Sequence, residues 1–388
     1  MKQNRHARRF VTALAIAAAW PAATMALTPM LADQGACLDS SGDAAVAACT
    51  RAVDGGQLQG RALADIYAKR GRTWIDLSRY DRAVDDFTLA IRLDPSYARA
   101  FRGRAVAFLR LEDYDRSLAD FDRAVALNPT DATLFDARGV VLHAKGDYER
   151  AIGDFDRALV LDPRSADAFR DRGFTSLTKG ELDRAIADFD RAIAIAPNDV
   201  MAFESRGVAY LAKFEPDRAI RDFDQAIALQ PDHALAFVGR GNAHLQKGDP
   251  GSAIADFDQA YRLDPRNASM LKARADAHLD KNEYALALRD YDEAVRLEPS
   301  NAITLTYRGV AYQRMGDYDR AIRDHDEAIR LRPDSPIPLN DRGVAYMKKG
   351  DYDRAIADFD QAIRLNPNYA LAIANRATAV RSKTGVVR

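Results

Sequence analysis

Arginine recurs with a fixed beat along this chain, at Arg70, Arg104, Arg138, Arg172, Arg206, Arg240, Arg274, Arg308, Arg342 and Arg376, each 34 residues after the last. Sixteen residues after each of the first nine comes an aspartate, from Asp86 to Asp358. Sixteen residues before each of the last eight comes another, from Asp122 to Asp360, with Thr88 in that place before Arg104. A row of guanidinium groups could bind phosphate or carboxylate ligands. It could equally pair with the aspartates, since the planar fork suits two carboxylates better than an ammonium would. Arginine and aspartate recur together, which favours internal pairing: Arg206 is expected between Asp222 and Asp190.

No catalytic set accompanies the beat. His143, His233, His244, His278 and His325 are scattered without metal-ligand spacing, and no HExxH, GxSxG, P-loop or GxGxxG occurs. The many acidic residues follow the 34-residue rhythm and read as scaffold. The expectation is no enzyme, no cofactor and no metal. With 56 basic and 57 acidic residues the formal net charge is −1, which gives no bulk attraction for nucleic acid. Cys37 and Cys49 are the only cysteines. In an oxidising compartment they would form one disulfide; free thiols, or Cys49 packed as a small apolar residue, are the alternatives.

The elements that position these groups follow from the prolines. Pro95, Pro129, Pro163, Pro197, Pro231, Pro265, Pro299, Pro333 and Pro367 are also 34 apart, so the chain is read as stacked supersecondary units. Taking a repeat to end two residues after each proline, the first runs 64–97 and the ninth 336–369. In the eighth, "AITLTYRGVAYQRMG" places apolar residues at repeat positions 4 and 11 and Gly309 at position 8, one face of a helix. Gly316 at position 15 can end that helix. Asp317 caps a second, "YDRAIRDHDEAIRL", and Pro333 stops it. Pro216 and Pro250 fall in the first turn of second helices, where proline is tolerated. Position 24 is always a ring, from Phe87 to Phe359, with Tyr291 and His325 as variants. Alanine at position 27, and at position 20 in all repeats but one (Ser117), flanks it as a hole beside a knob. One helix pair is too small to bury such a surface, so neighbours must cover it.

Gly or Ala at position 8, an aromatic at 11 (Trp74, Phe108, Tyr210, Tyr312, Tyr346), Ala at 20, a ring at 24, Ala at 27 and Pro at 32 resemble the tetratricopeptide repeat over residues 64–369. Ser176, His244 and His278 depart from the pattern at position 11. The resemblance implies an all-α solenoid, a right-handed superhelix of antiparallel helix pairs, and a protein or peptide partner held on its concave side. Residues 44–53 look like a degenerate second helix, with Cys49 where the ring belongs, in an N-terminal capping segment over 27–63. Residues 370–388 look like a capping helix with a basic tail. The family's chaperone-binding subgroup holds a C-terminal carboxylate with Lys and Asn at positions 5 and 9. Here Lys272 is matched with Asp276, and Asn242 with Val238, so that clamp is not implied.

Residues 1–26 read differently. Lys2, Arg5, Arg8 and Arg9 precede the apolar run "FVTALAIAAAW", too short to span a bilayer, and small residues follow up to Ala26. A Sec-type signal peptide cleaved near Ala26 is expected, leaving a periplasmic or secreted chain without a membrane span. Removing four basic residues takes the formal charge from −1 to −5.

Function then falls to the surface. Positions 2, 5, 9 and 12 of first helices should line the concave side. Early repeats place Asp65, Arg99, Thr133 and Asp167 at position 2; later ones place Met201, Leu235, Ser269, Ile303 and Ile337 there. With Val238 and Met347, the apolar members Met201, Leu235, Ile303 and Ile337 suggest a groove for an apolar peptide or helix, oriented by the charged half. Packing between adjacent first helices is the competing explanation. The functional expectation is a non-enzymatic interaction scaffold of the cell envelope or secreted fraction. The alternative is a carbohydrate- or cell-wall-associated factor that recruits polysaccharide machinery, which exposed Tyr and Trp in the groove would favour.

Overall fold

Each repeat becomes two helices because its own residues start and stop them. In the eighth repeat the computed structural model, which describes residues 33–384, places helices at Ala302–Arg314 and Tyr318–Leu331. Between them Gly316 takes φ 82°, and the Asp317 side chain accepts a hydrogen bond from the Arg320 backbone N–H at 3.0 Å. The left-handed turn residue recurs at position 15 throughout the array. Five repeats put glycine there; the other four force Ser78, Glu112, Phe214 and Asn282 to φ 58–59°. A side chain in that region costs about 1–2 kcal/mol, so the turn geometry is set by the helix pairing and not by local preference. Pro216 and Pro250 stand in the first turn of Pro216–Leu229 and Pro250–Leu263, where no backbone bond is lost.

All regular elements among the described residues are helices. The chain divides after Pro163 into two compact bodies. The N-terminal body holds the helices from Gly42–Asp54 to Tyr148–Leu161, and the C-terminal body those from Ala166–Lys179 to Ala370–Thr384. Within each body, first and second helices of a repeat pack against each other and against the next repeat. Ring and hole build both cores. The position-24 rings are buried, as are the alanines at positions 20 and 27. Gly139, Gly241 and Gly343 show why position 8 is small: a Cβ there would come within 2.7 Å of the rings of Phe155, Phe257 and Phe359.

The ends are closed by different means. Residues 33–39 are helical, and Cys37 is disulfide-bonded to Cys49 on Gly42–Asp54. Both cysteines are fully buried with Ala48, Ala52, Leu58 and Ile66, so Cys49 is a core residue as well as a bridge. At the other end Ala370–Thr384 lays Ala379 over Phe359 and Ala355, and Ala372 over Leu339 and Ala362. The expected signal peptide with its cleavage point, and the last residues of the basic tail, lie outside the described residues. No described helix is long and apolar enough to cross a membrane.

Candidate functional site

The arginine ladder is a set of internal forks. Arg206 donates from Nε and one terminal nitrogen to both oxygens of Asp222, at 2.8 and 2.7 Å, and from the other terminal nitrogen to Asp190 at 2.5 Å. Arg240, Arg274, Arg308 and Arg342 repeat the arrangement with Asp256, Asp290, Asp324 and Asp358 on one side and Asp224, Asp258, Asp292 and Asp326 on the other. In the N-terminal body Arg138 sits between Asp154 and Asp122. Arg104 donates to Thr88 and Arg70 to Thr50, each at 3.0 Å, where aspartate would otherwise stand. Thr50 follows Cys49 as Thr88 follows Phe87, so the capping helix carries the same pair of positions. Burial alone would lower the Arg206 pKa, yet the bonds and charges of Asp222 and Asp190 hold it above the ordinary arginine value. In these forks the guanidinium donors are taken by internal partners, so the ladder reads as part of the scaffold.

The apolar positions separate into two sets. Met201, Leu235, Ile303 and Ile337 are each about half exposed, at 50, 50, 49 and 52 %. Val238 and Met347 are partly buried. Val238 packs against the cluster of Phe257, Met270 and Leu271, and Met347 against Phe359 and Ala379, because their positions turn toward the neighbouring helices. Of the exposed four, Ile303 and Ile337 share the walls of one cavity of about 530 Å³ in the C-terminal body. Tyr307, Val310 and Leu371 complete its apolar lining, and Leu371, on the terminal helix, is 62 % exposed. Met201 and Leu235 lie outside those walls.

One polar residue of this cavity was not singled out by its sequence position. Asp341, at position 6 of the ninth repeat, is half-buried, and its only side-chain partner among the described residues is Asn340, whose amide donates at 3.0 Å. Burial pushes its carboxyl up to about 6, against 3.8 for an ordinary aspartate. Asp171 occupies the same position of the fourth repeat and has Arg170 beside it at 3.2 Å. The difference was present in the sequence as Arg170-Asp171 against Asn340-Asp341, but only burial gives it meaning.

The N-terminal body holds a cavity of about 790 Å³, floored by Ile66 and Phe87. Arg61 at its edge is tied to Asp65 and Asp94 at 3.1 and 2.5 Å. Lys69, Arg72, Arg99 and Arg102 line the same space and have no carboxylate partner among the described residues. The histidines are used structurally. His325 fills a ring position, where burial and then the charge of Arg342 push it down to about 3. His278 meets Glu283 at 2.7 Å and His233 meets Glu204 at 2.5 Å. Among the described residues no group of three or more His, Cys, Asp or Glu side chains is placed to hold a metal.

With paired helices, ring-and-hole cores and the arginine forks in place, the class is an all-α repeat solenoid. Tetratricopeptide-repeat models match residues 68–132, 205–268 and 272–336, 139–204 and 336–369. The first of these models alone spans half the chain, and the protein belongs to the tetratricopeptide repeat family. No curated protein is matched by this sequence. Among solved structures, the APC/C hetero-tetramer Cut9-Hcn1 is similar at 16 % identity and TM-score 0.55, over 92 % of this chain and 85 % of that one. A tetratricopeptide repeat protein from Parabacteroides merdae is similar at 18 % identity and TM-score 0.52, over 64 % of this chain and 99 % of that one. An IFIT1 monomeric mutant with Gppp-AAAA is similar at 17 % identity and TM-score 0.51, over 78 % and 71 %. At these identities the likeness is one of fold. The fold is one used generally as a scaffold for protein–protein interaction.

Proposed function

We propose that this protein is a non-enzymatic scaffold of the cell envelope or secreted fraction that holds a peptide or partner helix at the apolar cavity of its C-terminal body. The observation that carries the reading is the convergence of Ile303, Ile337 and Leu371, each about half exposed or more, on one cavity. Folding gives no reason to keep three aliphatic side chains in water side by side, and contiguous exposed apolar surface marks interaction sites. Export is supported by the basic and apolar tract of residues 1–26 and by the Cys37–Cys49 bridge, which suits an oxidising compartment. In the N-terminal body, the unpaired cations around the larger cavity suit an acidic stretch of a partner. Contacts there would weaken with added salt, whereas apolar contacts at the other cavity would not. A sugar-binding surface would need open aromatic faces; Tyr307 is 43 % exposed, but one face of its ring is taken by Lys272, whose Nζ lies 4.3 Å from the centroid.

The test is selection of displayed random peptides on the full-length protein, followed by titration of the selected peptides against Ile303→Ser/Ile337→Ser/Leu371→Ser. Loss of binding with an unchanged melting curve is the expected result. Selected peptides that bind the triple variant as well as the parent, or a variant that unfolds early, would remove the site.

A further inference from the structure

Asp341 is a half-buried carboxylate with one side-chain donor and no cation partner among the described residues. Its orientation is fixed from two sides. The Asn375 amide on the terminal helix donates to Oδ1 of Asn340 at 2.9 Å, which leaves the Asn340 amide nitrogen to donate to Oδ1 of Asp341. The Asp341 backbone carbonyl accepts from Gln313 at 2.7 Å. Asn340 itself is buried, so this relay is part of the folded core and not a surface accident. The second carboxylate oxygen has no hydrogen-bond donor among the described residues. A half-buried carboxylate is expensive unless it is paired. The buried aspartates at position 23 are forked by arginine, as Asp188, Asp222 and Asp256 are, and Asp171 has Arg170.

The groups facing Asp341 do not compensate it. Tyr369, from the loop before the terminal helix, is pushed up by burial and then by the charge of Asp341. Tyr307 lines the cavity from the preceding repeat, with Lys272 against its ring. Arg332 is exposed at the cavity and forms no ion pair with Asp341. Arg342, next in sequence, is committed to Asp358 and Asp326. His325, which contacts Gln313, is buried and held neutral.

We propose that the cavity recognises a lysine or arginine side chain set between aliphatic residues of the partner segment, with Asp341 as its counter-ion. The proposal rests on the reading of this cavity as the partner site and names the chemistry it selects. Aliphatic walls contributed by Ile303, Ile337 and Leu371 suit the methylene stem of such a side chain, while its charged head reaches the single carboxylate. Capture follows ionisation of Asp341, so it is half-developed near pH 6, approaches its full strength above about pH 7 and fades below pH 6.

The probe is a fluorescein-labelled seven-residue peptide with a central arginine between pairs of aliphatic residues. It is compared with the same peptide carrying norleucine or glutamate at the centre, by anisotropy on the full chain from pH 5 to 8. At pH 7.5 the arginine peptide should bind roughly tenfold or more tightly than the norleucine peptide. That advantage should vanish in Asp341→Asn and shrink toward pH 5, with norleucine binding unchanged in both cases. Equal binding of arginine and norleucine peptides, or preference for glutamate, overturns the proposal and leaves the apolar site standing. Binding of none of the three overturns both. Ile303→Ser/Ile337→Ser separates them further, since it must weaken the arginine and norleucine peptides alike.

Discussion

Replacing Arg206 by leucine measures what the ladder contributes. The side chain is packed within the C-terminal body, and two of its three hydrogen bonds go to Asp222, which is 4 % exposed. Its third goes to Asp190, whose side chain is about half exposed. An exposed pair contributes at most about 1 kcal/mol, so the Asp190 contact is the minor part. Removing the guanidinium strands the Asp222 carboxylate without a counter-charge, and breaking a buried pair in this way costs about 3–5 kcal/mol. Leucine recovers part of that by apolar contact, which places the expected loss near 3 kcal/mol. The sign of the pH dependence follows. In the variant Asp222 is buried and unpaired, its folded-state pKa rises, and the deficit is greatest above that raised value and shrinks on acidification. Urea melts followed by circular dichroism at pH 7.5 and pH 4.5 read both effects. Arg206→Leu/Asp222→Leu is the control: with both charges gone, most of the loss should be recovered. A single variant within about 0.5 kcal/mol of the parent, or a double variant no better than the single one, would refute the account of the forks as scaffold.

Phe214→Gly should stabilise the C-terminal body by about 1 kcal/mol, read as a higher urea midpoint, because residue 214 sits at φ 59° with its ring 80 % exposed. Asp341→Asn should raise stability by up to about 3 kcal/mol at pH 7.5 and leave it nearly unchanged at pH 4. A carboxyl raised from 3.8 to about 6 costs stability as pH rises through that window; equal melts of parent and variant at pH 7.5 would contradict this. Reducing the Cys37–Cys49 bridge should loosen the segment before residue 60 by about 2–3 kcal/mol, seen as faster amide exchange there and not in the C-terminal body. Intact mass of the protein from its native compartment should show a chain beginning near residue 27; a mass that retains residues 1–26 would remove the export proposal.

The ladder was legible before any coordinates because its geometry is symmetric in sequence. Arginines from the middle of the array reach one aspartate sixteen residues ahead and one sixteen behind, as Arg206 does with Asp222 and Asp190. In a stack of equal helix pairs, a contact within a repeat and a contact between repeats fall at the same separation, so a fixed spacing reports both. Ile303 and Ile337 were legible for a related reason. They share one repeat position, and a residue type with no folding reason to be there stands out against that position in other repeats. Val238 and Met347 are less exposed than Ile303 and Ile337, because a position number gives the side of a helix only to within the width of a side chain. Both are partly buried against clusters that include Phe257 and Phe359. The left-handed backbone at Phe214 was hidden for the opposite reason: glycine announces such a turn, but the packed helix pair imposes it on whatever residue is present.

Asp341 marks where reading by repetition stops. A repeat pattern reveals what recurs, and the significance of Asp341 lies in what fails to recur beside it. Asp171 carries its cation one residue earlier; Asp341 has Asn340 in that place, a neutral donor oriented from the terminal helix by Asn375. Burial raises the Asp171 carboxyl too, but Arg170 opposes that shift; with asparagine in that place Asp341 has no cation to oppose it. Restoring the cation within the chain therefore tests the logic directly. Asn340→Arg should pair Asp341 as Arg170 pairs Asp171, lower its carboxyl pKa relative to the parent, and abolish the advantage of the arginine-centred peptide without changing binding of the norleucine one. NMR titration of the Asp341 carboxyl reads the first outcome and anisotropy the second. A variant whose Asp341 pKa falls below the parent's yet which still prefers the arginine peptide would show that the cavity selects its ligand by some other feature.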